Sequence, residues 1–462
     1  MPKIGLRHVL SAGCALALGL AVAMPAQAQD SLTVWFTKGF YKGEDAALTD
    51  LIDRYQKATG VKVDLSLYST EDCIVKSVAA VEAGTPPDVG YCTTYDFRTT
   101  GQWAFEGRLE DVSDVLTPIK DQFQPDALAT TFLMNGKTGQ KAYYAFPIER
   151  QTMHIFYWKD MLQDAGFSEA DIPTTWDAYW DFWCGKVQDG LRAKGKRIYA
   201  IGQPMSVAAS DTFFSFLTWA NAYNVKIVDE SGKIVLDQPE NRAAMIEAVK
   251  SYSSIFTRGC TPPSSVNWLD TDNNVNFHNR TTVLTHNATI SIPSKHLDDS
   301  TNQTLTEEQR AQAKKNYEEN IRTTLFPTKP DGSTLPNLAA TKTAVIFADS
   351  KNKVRAKEFM AFMMKDENLT PFVEGSVGRW YPVTKSGAAR PFWTDGTDPH
   401  RAVVSKQFTG GTLPFPFVYN YHFTTVNAEN VWAKALNRVV QDKITPDQAV
   451  DEMIARIKEI AG

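Results

Sequence analysis

The chain has no catalytic signature. GxSxG, HExxH, a phosphate loop and a dinucleotide fingerprint are all missing from its 462 residues. Nucleophile-elbow hydrolysis, zinc proteolysis and nucleotide chemistry therefore lack their usual anchors. Histidine is scarce, at 7, and neither CxxC nor HxxH occurs, so no metal site and no cofactor are expected. No block of lysine and arginine stands out, and 48 basic residues face 53 acidic ones. A mildly acidic chain has no general electrostatic reason to bind nucleic acid or anionic membrane. Internal repeats and low-complexity tracts are missing too. Beyond residue 28 no run approaches the about 20 apolar residues of a bilayer span.

What is present starts with a leader. Lys3 and Arg7 precede a run of apolar and small residues from Val9 to Pro25, and Ala26-Gln27-Ala28 has the small-x-small form. This pattern reads as a secretory signal peptide, residues 1–28, cleaved after Ala28. An uncleaved anchor would need a longer core. A lipoprotein signal would need a branched or leucine residue where Ser11 stands, and Cys14 lies too early. The expected product is a soluble periplasmic chain starting near Gln29. It has 46 basic against 53 acidic residues, a net charge of −7. Its length predicts two or three domains of about 150 residues each. Loss of Cys14 leaves Cys73, Cys92, Cys184 and Cys260, an even set that reads as disulfides in an exported chain. Four cysteines allow three pairings.

Periodicity predicts an α/β fold. Ser31–Phe36 reads as a strand, Glu44–Thr59 as a helix stopped by Gly60, and Val61–Leu67 as an alternating strand. A helix over Cys73–Ala83 is predicted to bury Ile74, Val75, Val78 and Val81, and Asp88–Tyr91 is a third strand. That alternation is the grammar of a parallel sheet covered by helices. Two β-like runs, YYAFPI and MHIFYW, flank Glu149-Arg150-Gln151-Thr152. The tetrad lacks Gly and Asn, so it reads as a crossing strand rather than a hairpin turn. Helices are predicted over Asp211–Tyr223 (amphipathic), Pro239–Phe256 and Lys351–Met364, and at the C-terminus on either side of Lys443–Pro446. A helix starts at Pro173–Trp176, with Thr175 as its cap. Arg197–Ile201 and Thr343–Phe347 read as strands, Ile234–Leu236 as an edge piece, and Ser300–Lys329 mostly as surface helix and loop.

Five segments carry a resemblance. They are Leu32-Thr33-Val34-Trp35-Phe36; Gly84-Thr85-Pro86-Pro87-Asp88-Val89; Tyr144 to Ile148 with Phe156 to Leu162; Ser350 to Lys353 leading into Ala356 to Met360; and Ala435-Leu436 with Thr445 to Ala449. In order and spacing they resemble the extracellular solute-binding proteins of ABC importers, in their carbohydrate-binding, maltose-binding-protein-like branch. The resemblance implies a periplasmic-binding-protein-like fold, two α/β lobes joined by hinge segments around a ligand cleft. It places residues 29–148 and 338–378 in an N-terminal lobe, and 149–337 and 379–462 in a C-terminal one. Pairing within lobes then favours Cys73–Cys92 and Cys184–Cys260. It further implies a monomer that captures a sugar or polyol by closure and delivers it to the permease's transmembrane subunits.

The same resemblance points to site residues. Thr37 and Lys38 should emerge from the first strand at the cleft rim, whereas Trp35 and Phe36 read as core. Tyr95 and Asp96 fall where the family grips sugar hydroxyls, although Cys92 replaces an aromatic there. Glu149 and Gln151 lie on the crossing strand, and an inward Arg150 would suit an acidic ligand. In the second lobe Trp268 and Asn287 are candidates, while Trp219 reads as core and His286 as structural. Asn287 is followed by Ala288-Thr289-Ile290, where the family usually has Gly and an aromatic, so stacking is not expected there. Arg379, Trp380 and Tyr381 form an aromatic loop bounded by Gly378 and Pro382, and Tyr419-Asn420-Tyr421 is a weaker patch of the same kind. Two alternatives stand beside this reading. One is the same fold binding a polyamine or other small solute. The other is a secreted carbohydrate-active enzyme using paired carboxylates such as Asp96 and Glu149.

Overall fold

The computed structural model describes residues 31–462. The leader, its cleavage after Ala28, Cys14 and the start near Gln29 lie outside the described residues. In chain order the strands are β1 (Ser31–Thr37), β2 (Lys62–Tyr68), β3 (Val89–Tyr91), β4 (Phe132–Asn135), β5 (Gln140–Tyr143), β6 (Phe146–Thr152), β7 (His154–Trp158), β8 (Tyr199–Gly202), β9 (Thr282–Asn287), β10 (Ile321–Thr324), β11 (Asn337–Ile346), β12 (Tyr381–Pro382) and β13 (Thr412–Pro414).

They form two main sheets and a hairpin. The first sheet runs β12-β6-β11-β3-β1-β2, with β13 beside the start of β11, and the second runs β10-β7-β9-β8. The expected strand–helix alternation holds: β1 pairs in parallel with both β2 and β3, and helices Lys42–Thr59 and Thr70–Glu82 make the crossovers. Gly60 ends the first helix at φ 75°, a left-handed position that glycine takes without strain. Ser69 caps the second by accepting the Asp72 amide N–H at 3.0 Å.

The polar tetrad is strand throughout, since β6 extends to Thr152 and pairs with β11. Only Met153 separates it from β7, which belongs to the second sheet. The chain therefore passes between sheets at Met153 and returns between β10 and β11. After β12 it reaches the second sheet's side again, where a His400 ring nitrogen is hydrogen-bonded to Thr323 Oγ1 of β10 at 2.6 Å.

Each sheet has its own core. Leu32, Val34, Tyr55, Phe146, Phe359 and Met360 pack on the first. Trp158, Trp176, Trp183, Trp219, Tyr252 and Trp432 dominate the second. Both disulfides stay with one sheet: Cys73–Cys92 ties helix Thr70–Glu82 to the end of β3, and Cys184–Cys260 lies under β8, with Cα separations of 5.9 and 5.2 Å. Among the described residues no helix is long and apolar enough to cross a membrane.

Three expectations are corrected. Val75 and Val78 are exposed, at 67 and 38 %, and Cys73, Ile74, Ser77 and Val81 face inward instead. The disulfide fixes Cys73 against the sheet, and that rotation carries Ser77, not Val78, into the interior. Helix Ser210–Ala222 is buried on nearly every face rather than amphipathic. The polar stretch 300–329 is mostly helix and loop as expected, and within it β10 pairs antiparallel with β7. Ile234 makes only an isolated bridge to Val228.

Candidate functional site

Alternation along β6 sets the cleft. Side chains of a strand point to opposite faces in turn, so Glu149 and Gln151 share one face and Arg150 takes the other. Glu149 and Gln151 look into two adjoining cavities that share Thr93, Arg379 and Trp380.

The outer cavity is built on the first sheet. Thr37 lines it, its Oγ1 accepting the Thr93 amide N–H at 3.1 Å, and the exposed Lys38 stands at its edge. Phe36 behind them is core, 4.9 Å from the Tyr91 ring. Trp35 is half-buried, edge-on to Tyr68. The Tyr91 hydroxyl donates to Glu149 Oε1. Burial pushes the Glu149 carboxyl up to about 8, against the pull of the Tyr91 hydrogen bond, Arg379 and Lys342. Arg379 pairs with Glu44 at 2.9 Å and spreads its guanidinium over the Phe40 ring at 3.5 Å and the Trp380 ring at 4.6 Å.

The inner cavity takes both sheets. From the first come Gln151, Lys342 and Thr94; from the second side come Asp211, Asp270, Asn274, Asn287 and Ser291. Lys342 stands opposite Glu149 in the β6–β11 register. Its Nζ reaches Asp96 at 3.2 Å and lies over the Phe97 and Phe214 rings at 5.0 and 5.1 Å. Burial pushes the Asp96 carboxyl up to about 6 and the Lys342 ammonium down, and their attraction opposes both shifts. Asn287, at the end of β9, donates to Asn274 Oδ1 at 2.7 Å and to Ser291 Oγ at 2.9 Å. Gln151 Nε2 and Thr94 Oγ1 are buried without a partner among the described residues. The walls touch across the cleft: the Tyr41 hydroxyl donates to the Ser291 carbonyl, and Ser294 Oγ to the Val377 carbonyl at 3.0 Å.

Of the sequence candidates, Thr37, Lys38, Glu149, Gln151, Asn287, Arg379 and Trp380 meet at these cavities. Asp96 sits just behind, holding Lys342. Three others do not reach the cleft. Tyr95 folds back over Gly90, where a Cβ would lie 2.9 Å from its hydroxyl. Its hydroxyl donates to Ser77 Oγ at 2.6 Å and its ring meets Trp103 edge-on. Trp268 is buried with Nε1 donating to Ser264 Oγ at 3.1 Å. Tyr381 follows Trp380 onto the opposite face, where its ring stacks on Phe408 at 4.2 Å. Arg150 points the same way, paired with Asp126 and lying over Phe408 at 4.5 Å, so it offers nothing to an acidic ligand in the cleft. Trp219 is core, and His286 is bonded to Ser215 Oγ at 2.8 Å within it. Tyr421 stacks on Phe105 and Tyr419 is exposed elsewhere.

Sequence reasoning missed Glu44, Lys342 and Asp211. Lys342 left a signal, a lone cation in the apolar strand sequence around Ala339 to Val345. Among the described residues no group of three or more His, Cys, Asp or Glu is arranged to hold a metal ion. A larger groove between helices Val431–Val440 and Pro446–Ala461 is lined by charges already paired with each other, such as Arg438 with Glu452 at 2.8 Å. The cleft instead offers amides, hydroxyls and carboxylates beside the rings of Phe40, Phe97, Phe214 and Trp380. That mixture suits a small molecule with hydroxyls on its edges and C–H faces between them.

Comparison with known proteins agrees with this geometry. The model of the family described as bacterial extracellular solute-binding protein matches residues 50–402. No curated protein matches the chain at the level of sequence. Among solved structures, a solute-binding protein of an ABC transporter from Thermotoga lettingae, bound with α-D-tagatose, superposes with a TM-score of 0.74 at 19 % identity, covering 94 % of this chain and 100 % of that one. The maltose-bound MalE3 of T. maritima gives 0.69 at 20 % identity, with 93 and 99 % covered. A solute-binding protein from Agrobacterium radiobacter in complex with ribitol gives 0.69 at 18 %, with 93 and 98 % covered. At such identities these structures establish the two-lobed periplasmic-binding-protein-like fold.

Proposed function

Because the chain belongs to the bacterial extracellular solute-binding protein family, we propose that it captures a sugar or polyol between its lobes and presents the closed, loaded form to an ABC permease. The observation that carries this reading is the inner cavity, where unpartnered Gln151 and Thr94 from one side face Asn287 and Asn274 from the other, with Trp380 beside them. A ligand with several hydroxyls gives those groups partners and bridges the two walls, so binding and closure are one event. The bound tagatose, maltose and ribitol of the structural relatives are of this chemistry.

In this reading residues 29–148 and 338–378 form one lobe and residues 149–337 and 379–462 the other, with 149–152 and 381–382, which pair within the first sheet, as the segments that cross between them. The protein works as a periplasmic monomer after cleavage at Ala28, without a cofactor, and returns its ligand unaltered. Asp96 and Glu149, the carboxylates a glycosidase would recruit, are engaged by Lys342 and Tyr91, which favours binding over turnover.

The test follows melting temperature and small-angle scattering of the mature chain across a sugar and polyol panel. Binding at a hundredfold excess over Kd adds about 2.7 kcal/mol of stability, and the radius of gyration should contract. Recovery of a chemically altered sugar would overturn the reading, as would unchanged scattering and melting with every panel member.

A further inference from the structure

The cleft holds more carboxylates than its own cations answer. The cationic side chains lining the inner cavity, Lys342 and Arg379, already have partners, Asp96 at 3.2 Å and Glu44 at 2.9 Å. On the facing wall Asp211 and Asp270 stand side by side. Asp270 accepts the Ser210 hydroxyl and, at 3.0 Å, the Asp211 amide N–H. This cap on helix Ser210–Ala222, together with the partly buried Arg98 guanidinium near Asp270, accounts for one negative charge. Asp211 accepts from Asn273 Nδ2 at 3.0 Å through one oxygen, and no described residue donates a hydrogen bond to the other.

A buried charge without a partner is expensive. Burial and the neighbouring Asp270 push the Asp211 carboxyl well above the usual range, so a proton or a cation belongs beside it. Gln151 and Thr94, each nine-tenths buried or more, line the same cavity with unpartnered polar atoms. Phe97 and Phe214 already hold the Lys342 ammonium over their faces, which shows that this wall suits ammonium chemistry.

Resting on the reading that the cleft binds a sugar or polyol, we infer that the solute carries one primary amine, whose ammonium sits against Asp211 and Asp270 while its hydroxyls meet Gln151, Thr94 and Asn287. An ammonium offers three donors and one charge, enough to reach two carboxylates at once and to neutralise the one the helix does not.

Isothermal titration of the mature chain at pH 7 with matched pairs tests this: glucose and glucosamine, galactose and galactosamine, sorbitol and glucamine, with putrescine as a bare diamine. The expected result is that in at least one pair the amine binds at least tenfold tighter than its neutral twin. Asp211→Asn should shrink that preference below threefold; the unmodified protein alone decides the matter if the variant does not fold. Neutral twins binding as tightly as their amines would overturn the amine and leave sugar capture standing. Putrescine binding alone would overturn both, as would the absence of any binding.

Discussion

Arg379 joins the outer and inner cavities, and its removal should be felt twice. Its guanidinium and the Glu44 carboxylate are both nearly buried, 2.9 Å apart. Burial pushes the Glu44 carboxyl up, and Arg379 is the main group holding it charged. Breaking one member of a buried pair leaves the other uncompensated, at about 3–5 kcal/mol. Arg379→Ala should therefore lose stability of that order in urea unfolding, and it should abolish measurable solute binding. Adding Glu44→Gln should restore part of the stability, because the stranded charge is gone, but none of the affinity. A loss below about 1 kcal/mol for the single variant would mean that the pair is solvated. Arg379 could be found from sequence because Gly378 and Pro382 mark a loop that shows Arg, Trp and Tyr. Tyr95 could not be placed, because what draws it inward is the missing side chain of Gly90 on a neighbouring strand.

Strand β6 allows a cleaner comparison, since adjacent residues of one element serve different faces. Arg150 looks away from the cleft to Asp126 and Thr412, whereas Gln151 looks into it. Arg150→Ala should cost about 1–3 kcal/mol of stability, Asp126 being partly solvated, and change solute affinity less than threefold. Gln151→Ala should do the reverse, weakening binding about tenfold or more, the loss expected for a hydrogen bond of about 1.5 kcal/mol, with unfolding little changed. Equal effects on both measurements would contradict the alternation. The disulfides act at this scale as well. Their loops span 19 and 76 residues, so reduction should remove about 3 and about 4.5 kcal/mol in the chain-entropy account, read as lowered denaturant midpoints with and without reductant. The elements that were legible in the sequence are those whose burial follows a period. β1 to β3 and the helices between them show apolar residues at regular spacing, and a polar tetrad without turn residues revealed β6. β10 was illegible because Ile321-Arg322-Thr323-Thr324 carries one apolar side chain, and its place is fixed by pairing with β7. The inward face of helix Thr70–Glu82 was misread because a covalent bond at Cys73, not hydrophobicity, sets its rotation.

At the scale of the whole molecule, buried titratable groups oppose one another across neutral pH. Burial lowers His154, His296 and His400 to about 4, and His278 and His286 to about 3. Between about 4 and 6.5 the unfolded chain binds protons at these rings that the folded chain refuses, so stability rises with pH over that window. Glu149 has the opposite sign. Its carboxyl is raised from 4.5 to about 8, so the folded chain keeps a proton that the unfolded chain releases, and stability falls as pH rises between those values. Asp96, raised to about 6, acts the same way over a lower window. Burial raises Glu44, Asp211 and Asp298 as well, so below 6.5 histidines and carboxyls pull against one another; above it the histidines no longer titrate, while the most strongly raised carboxyls continue to. The melting temperature of the solute-free protein should thus decline from about pH 6.5 toward pH 8. Glu149→Gln should reduce that decline and leave the histidine limb in place, because it removes one of the protons at issue and none of the histidines. A melting temperature that climbs without a break to pH 8 in the unmodified protein would show that Glu149 is already ionised in the cleft, with its charge answered by Arg379 and Lys342 rather than by a proton shared with Tyr91.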